Sequence, residues 1–66
     1  MFVDVGRMRK MKGMTQAQLA AATGMTRLAI GNIETGKTKN PSSKALFAIA
    51  NALGCKIDDL FFNPDA

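Results

Sequence analysis

The chain has 66 residues, one cysteine, no histidine and a net charge of +4. That length allows one domain with a modest core, and a lone Cys55 excludes an internal disulfide and fits a reducing compartment. There is no histidine and no metal-ligand spacing, so no metal is expected; no other cofactor is expected either, and the longest apolar run is far short of the roughly 20 residues that a membrane span needs.

In chain order, MFVDVGRMRK places charges where a signal peptide needs an apolar stretch, so the expected location is cytoplasmic. A first helix is expected over about 4–12, with Asp4 as its cap, Val5 and Met8 on one face and Gly13 as its stop. A second is expected over 16–23. Thr15 and Gln18 form a capping-box pattern before it, Leu19 and Ala20 face inward, and Gly24 ends it. Only about three residues, TGM, then separate it from a third helix over 27–35, capped by Thr26 and stopped by Gly36. A turn that short, with a central glycine, has helix-turn-helix spacing. After the basic turn GKTKNP, a fourth helix is expected over 43–53, with Leu46, Ile49, Ala50 and Leu53 in register. A short fifth is expected over 57–62, and the tail NPDA is expected to fray. Met8, Met14 and Met25 read as core gap-fillers. No convincing strand is read; MFVDV and KIDDLFF are the only short segments that allow one.

The third helix carries features that its packing does not explain. Gly31 costs about 1 kcal/mol against alanine in a helix interior, and Arg27 sits at the end where helices prefer negative charge. At about 100° per residue, Ile30, Ile33, Ala29 and Thr26 share an inner side. Leu28, Gly31, Asn32 and Thr35 share the outer side, with Arg27 on its flank. Residues 7–44 also hold Arg7, Arg9, Lys10, Lys12, Arg27, Lys37, Lys39 and Lys44 against Glu34 alone. The remainder holds Lys56 against Asp4, Asp58, Asp59 and Asp65. Such a basic stretch suits a polyanionic partner; an ordinary solvated surface is the competing reading.

The segment MRKMKGMTQAQLAAATGMTRLAIGNIETGK resembles the Cro and phage-repressor type of helix-turn-helix, the xenobiotic-response-element family. The pattern is carried by Arg9, Gly13, Thr15-Gln16, Leu19-Ala20, Gly24-Met25-Thr26, Ile30, Ile33-Glu34 and Gly36. It continues through Asn40-Pro41-Ser42, Leu46, Ile49-Ala50, Ala52-Leu53-Gly54 and Asp58-Asp59-Leu60-Phe61. The resemblance implies an all-α, compact five-helix lambda-repressor-like domain filling residues 1–66, of prokaryotic or phage type. The chain departs from the pattern at Leu28 and Gly31, where polar residues are commoner, and at Lys56, where a Ser or Thr cap is usual.

For function, the resemblance implies double-stranded DNA as the partner, with the outer face of the third helix in the major groove. Asn32 would then pair with adenine, Arg27 would reach guanine or a phosphate, Leu28 would rest on a thymine methyl, and Gly31 would admit close approach. A surface or partner contact for Leu28, and drift at Gly31, remain as alternatives. Thr15, Gln16, Thr26, Lys37, Lys39 and Asn40 are the expected phosphate contacts, and Arg9 with Glu34 is the expected structural ion pair. Such domains bind near-palindromes as homodimers. Ile57, Phe61 and Phe62 are the candidate interface, against the alternative that Ile57 and Phe61 close the monomer core; Phe2 and Val3 are a further candidate by strand pairing. The expected activity is that of a transcriptional regulator, a repressor in the first reading, and not an enzyme. The alternatives are the antitoxin of a toxin–antitoxin pair and an interaction adaptor that has lost DNA binding.

Overall fold

Each helix begins at a residue whose side chain substitutes for a missing backbone partner. The structure, a computed structural model describing residues 2–62, contains α1 (Val5–Met11), α2 (Gln16–Thr23), α3 (Arg27–Thr35) and α4 (Ser43–Leu53). Asp4 accepts from the Arg7 N–H at 3.1 Å, Thr26 from Ala29 at 3.0 Å and Ser42 from Ala45 at 3.1 Å. Thr15 and Gln18 cap reciprocally: the Gln18 N–H reaches the Thr15 hydroxyl at 3.0 Å, and the Thr15 N–H reaches Gln18 Oε1 at 2.8 Å. Caps of this kind contribute about 1 kcal/mol each.

The turn that sets α3 against α2 depends on Gly24. Its φ of 73° lies in the left-handed region, where a side chain would be strained. There its N–H, and that of Met25, return to the Ala20 carbonyl. The connection takes three residues, and α2 packs against both α3 and α4.

The core is drawn from every helix. Val5, Leu19, Ile30, Ile49 and Leu60 have no exposed surface, and Met8, Ala20, Ile33, Leu46, Ala50 and Leu53 surround them. Met14, Met25, Ile57 and Phe61 pack against this cluster while half-buried. Burying one such aliphatic side chain is worth roughly 1.5–3 kcal/mol.

The chain ends depart from the expected architecture. The fifth helix is not an α-helix over 57–62: it is a 3-10 turn, Ile57–Leu60, after which Phe61 becomes extended. Phe61–Phe62 (β2) pairs antiparallel with Phe2–Val3 (β1), in the register Phe2 with Phe62 and Val3 with Phe61. The Asp4 N–H extends that ladder to the Leu60 carbonyl at 2.9 Å. These backbone groups find partners across the chain that a last helical turn would not supply. So the strand-capable ends pair within one molecule, and the domain is all-α apart from this two-residue ladder. Lys56 has no capping side chain, but the cap is made in reverse, its N–H donating to Asp59 Oδ2 at 3.0 Å. The side chains of Phe2 and Phe62, and the tail expected to fray, lie outside the described residues. No helix among the described residues is long and apolar enough to cross a membrane.

Candidate nucleic-acid interface

Ile30 and Ile33 fix α3 to the core, and the side that carries Arg27, Leu28 and Thr35 is turned outward. Arg27 is exposed, and Leu28 is 72% exposed, an unusual state for a large aliphatic side chain. Gly31 faces open space: a Cβ built on it would meet nothing within 4 Å. Gln16, Arg27, Leu28 and Gly31 together line a shallow recess. A neighbouring recess shares Gln16 and Arg27 and adds Arg9, Gly13, Met14, Thr15 and Ala17.

Behind this face, one acid ties three helices together. Glu34 on α3 receives Arg9 Nε at 2.7 Å and Arg9 Nη2 at 3.1 Å, a two-pronged pair, and Gln16 Nε2 at 3.0 Å. Arg9 Nη1 also donates to the Met14 carbonyl at 2.8 Å, bracing the α1–α2 loop. The Arg9 and Glu34 side chains are 11% and 9% exposed. Burial pushes the Glu34 carboxyl up, but the hydrogen bonds from Arg9 and Gln16 and the charges of Arg9 and Lys10 outweigh it. The net result holds Glu34 below the usual carboxylate range. The hydrogen bond to Glu34 raises the Arg9 guanidinium despite an opposing effect of burial. Gly6 makes room for the arrangement, since a Cβ there would stand 3.2 Å from Glu34 Oε1.

The candidate residues divide into groups. Thr15, Gln16, Arg27, Leu28 and Gly31 come together around the mouth of α2 and the start of α3. The Gln16 and Ala17 N–H groups stand in the first turn of α2, where the Thr15–Gln18 capping box engages the Thr15 and Gln18 N–H groups instead. Lys39 and Asn40 line a different recess, with Val3, Ile33, Gly36, Thr38, Pro41 and Phe61, and Lys37 is exposed beside it in sequence. Asn32 is half-buried, and its carbonyl accepts from the Thr38 N–H at 3.0 Å, which anchors the loop after α3. Thr26 does not line the inner side: it is an exposed cap with φ −84° and ψ 155°, so a helical angle does not apply to it. Thr35 is exposed and donates its hydroxyl to the Gly31 carbonyl at 2.9 Å.

The residues proposed for self-association also separate. Phe61 lines the recess beside Lys39, whereas Ile57 lines a groove with Phe47, Asn51, Cys55, Lys56 and Asp58. Phe47, 65% exposed, is absent from the sequence-based candidates. The available signal is its position: it lies about 100° off the stripe of Leu46, Ile49, Ala50 and Leu53. Burial, then the charge of Asp59, pushes the Cys55 thiol up against a smaller opposing effect of Lys12, so it is a poor nucleophile.

A family model described as helix-turn-helix matches residues 5–60. An uncharacterized HTH-type transcriptional regulator of Methanocaldococcus jannaschii is 42% identical over 57 residues, which is 86% of this chain and 85% of that protein. Among solved structures, the restriction-modification controller protein C.AhdI of Aeromonas hydrophila is similar with a TM-score of 0.82 at 32% identity, over 86% of this chain and 85% of that one. The DNA-binding domain of the P22 c2 repressor gives a TM-score of 0.79 at 32% identity, over 85% and 72% of the two chains. With the matched region running from α1 through the 3-10 turn, the chain belongs to the helix-turn-helix proteins of the Cro and phage-repressor type.

Proposed function

We propose that this protein is a DNA-binding transcriptional regulator that reads duplex DNA through α3 and binds a near-palindromic operator as a homodimer, acting as a repressor by occlusion. The observation that carries the reading is the arrangement of α3. Buried Ile30 and Ile33 hold it, while exposed Arg27 and Leu28 share recesses with Thr15, Gln16 and Ala17 at the start of α2. A helix so held presents a rigid edge to the major groove, and the adjacent helix mouth accepts a phosphate.

In this reading Arg27, Leu28, Gly31 and Asn32 face base edges, and Thr15, Gln16, Thr26, Lys37, Lys39 and Asn40 face the backbone. The Gln16 amide has two N–H donors, of which one is engaged by Glu34 and the other remains for a phosphate oxygen. Ile57, Phe61 and Phe62 are the proposed dimer contacts, to which exposed Phe47 is added on the Ile57 side. The named relatives support the class of activity: one is an HTH-type transcriptional regulator and another a repressor's DNA-binding domain.

Selection of bound duplexes from a random pool tests the proposal. Enrichment of a two-fold sequence with half-sites about one helical turn apart is the expected result. A pool that yields no enriched sequence, with the protein folded, refutes sequence-specific binding. The exposed Leu28 also suits an adaptor that binds protein, and that outcome would favour it.

A further inference from the structure

Among the cations of α1, Arg9 is engaged by Glu34. Lys10 follows it, is exposed, and has no ion-pair partner among the described residues. On the helix it stands about 40° from Gly6, whose backbone lies against the Glu34 carboxylate. Lys10 is therefore on the α3 side of α1, and its charge contributes to holding Glu34 low. Arg9 lines a recess with Thr15, Gln16 and Arg27, so its neighbour Lys10 stands at the margin of the proposed DNA face. The direction along DNA follows from a second recess. There Lys39 and Asn40 meet Phe61, a proposed dimer contact, and the two recesses have no residue in common. With Phe61 toward the two-fold axis, the Lys10 end of the face points away from the partner copy. Resting on the proposed reading as a dimeric DNA-binding protein, we propose that Lys10 grips a backbone phosphate just beyond the outer end of each half-site. The contact reads no base: it lengthens the bound site past the sequence that α3 reads and adds sequence-independent affinity. A cation in the last turn of α1 also suits the helix dipole, a stabilising role that involves no DNA, and the test separates the two.

The full chain is titrated with the duplex enriched by selection, in which single phosphates, from the half-site outward, are replaced by neutral methylphosphonates. At one outer phosphate per half-site the replacement should weaken binding about eightfold at about 0.1 M salt, because one neutralised phosphate is worth about 0.9 in log affinity per tenfold change in salt. In Lys10→Gln, whose folding is checked by circular dichroism, replacing that phosphate should have no effect, while phosphates inside the half-site keep theirs. Lys10→Arg should restore the sensitivity. A lysine that serves only the stability of α1 would leave the outer phosphate equally sensitive, or equally insensitive, in the parent and in Lys10→Gln. Either result refutes the contact while DNA binding stands. If no duplex is enriched, the functional reading fails and the inference with it.

Discussion

Replacing Gly31 by alanine should make the protein more stable. In a helix interior glycine is about 1 kcal/mol worse than alanine, part of which is the extra freedom of glycine in the unfolded chain. That gain is normally offset where the new methyl group collides with something. Here a Cβ meets no atom within 4 Å, so no collision opposes it. Gly31 also has no positive φ, whereas Gly36, at the end of the same helix, has a φ of 85°. The expectation is therefore a gain of about 1 kcal/mol for Gly31→Ala, seen as a Tm higher by roughly 4–8 °C in a domain of this size. Gly36→Ala should lose about as much or more. The chain lacks Trp and Tyr, so urea unfolding is best followed by far-UV circular dichroism, with midpoints compared at unchanged slope. A Gly31→Ala protein that is less stable than the parent would refute the reasoning, because it would mean that the fold itself requires glycine there.

Four other outcomes are expected. Glu34→Gln should destabilise by about 1–3 kcal/mol, between the values for exposed and buried pairs. Because Glu34 is held below its ordinary value of 4.5, its contribution is complete above that value and fades as pH falls through the lower folded-state pKa. Urea midpoints measured down through the acid range should therefore lose part of their slope in Glu34→Gln. In Lys37→Gln/Lys39→Gln the dependence of log affinity on log salt should flatten by about 0.9 for each phosphate that is no longer neutralised, read by titrating a labelled duplex at several salt concentrations. Asn32→Ala should cost about 1–3 kcal/mol and relax one base position in a repeat of the selection; an unchanged preference would remove Asn32 from the reading face. Sedimentation should show a dimer that Phe47→Glu weakens, and a monomer before substitution would refute the interface.

The parts of the fold that depend on near neighbours are legible in the sequence. Asp4, Thr15, Thr26 and Ser42 announce helix starts because their oxygens reach N–H groups only three residues on. Gly24 and Gly36 announce stops because their backbone conformation is costly for other residues. The last helix is not legible, because its alternative is remote. Whether Phe61 and Phe62 continue a helix or extend depends on Phe2 and Val3, nearly sixty residues away. Thr26 falls on the inner side only when helical periodicity is carried one residue past the helix, onto a cap. The family resemblance pairs Arg9 with Glu34; that Gln16 also binds Glu34 has no periodic signature, since three side chains meet from three separate segments. Phe47 escapes a reading by periodicity because a stripe directs attention to the residues that fit it.

The same contacts explain how a basic face can carry an acid without losing its purpose. Glu34 is the one negative charge between residues 7 and 44, and it lies on the helix proposed to enter DNA. Exposed there, it would repel phosphate. Folded back onto Arg9, it is neutralised within the domain, and Lys10, Lys12, Arg27, Lys37, Lys39 and Lys44 remain at the surface. Glu34 Oε1 also does more than complete an ion pair, because by accepting from Gln16 it fixes the side chain whose other amide proton is proposed to meet a phosphate. Holding a donor in place before binding reduces the ordering cost of the complex. The Arg9–Glu34–Gln16 contacts therefore join stability to recognition: loosening them should free Gln16 as well as weaken the packing of α1 against α3. Glu34→Gln should accordingly lose affinity for the selected duplex even at temperatures where it is fully folded. A variant that binds as tightly as the parent under those conditions would separate the two roles.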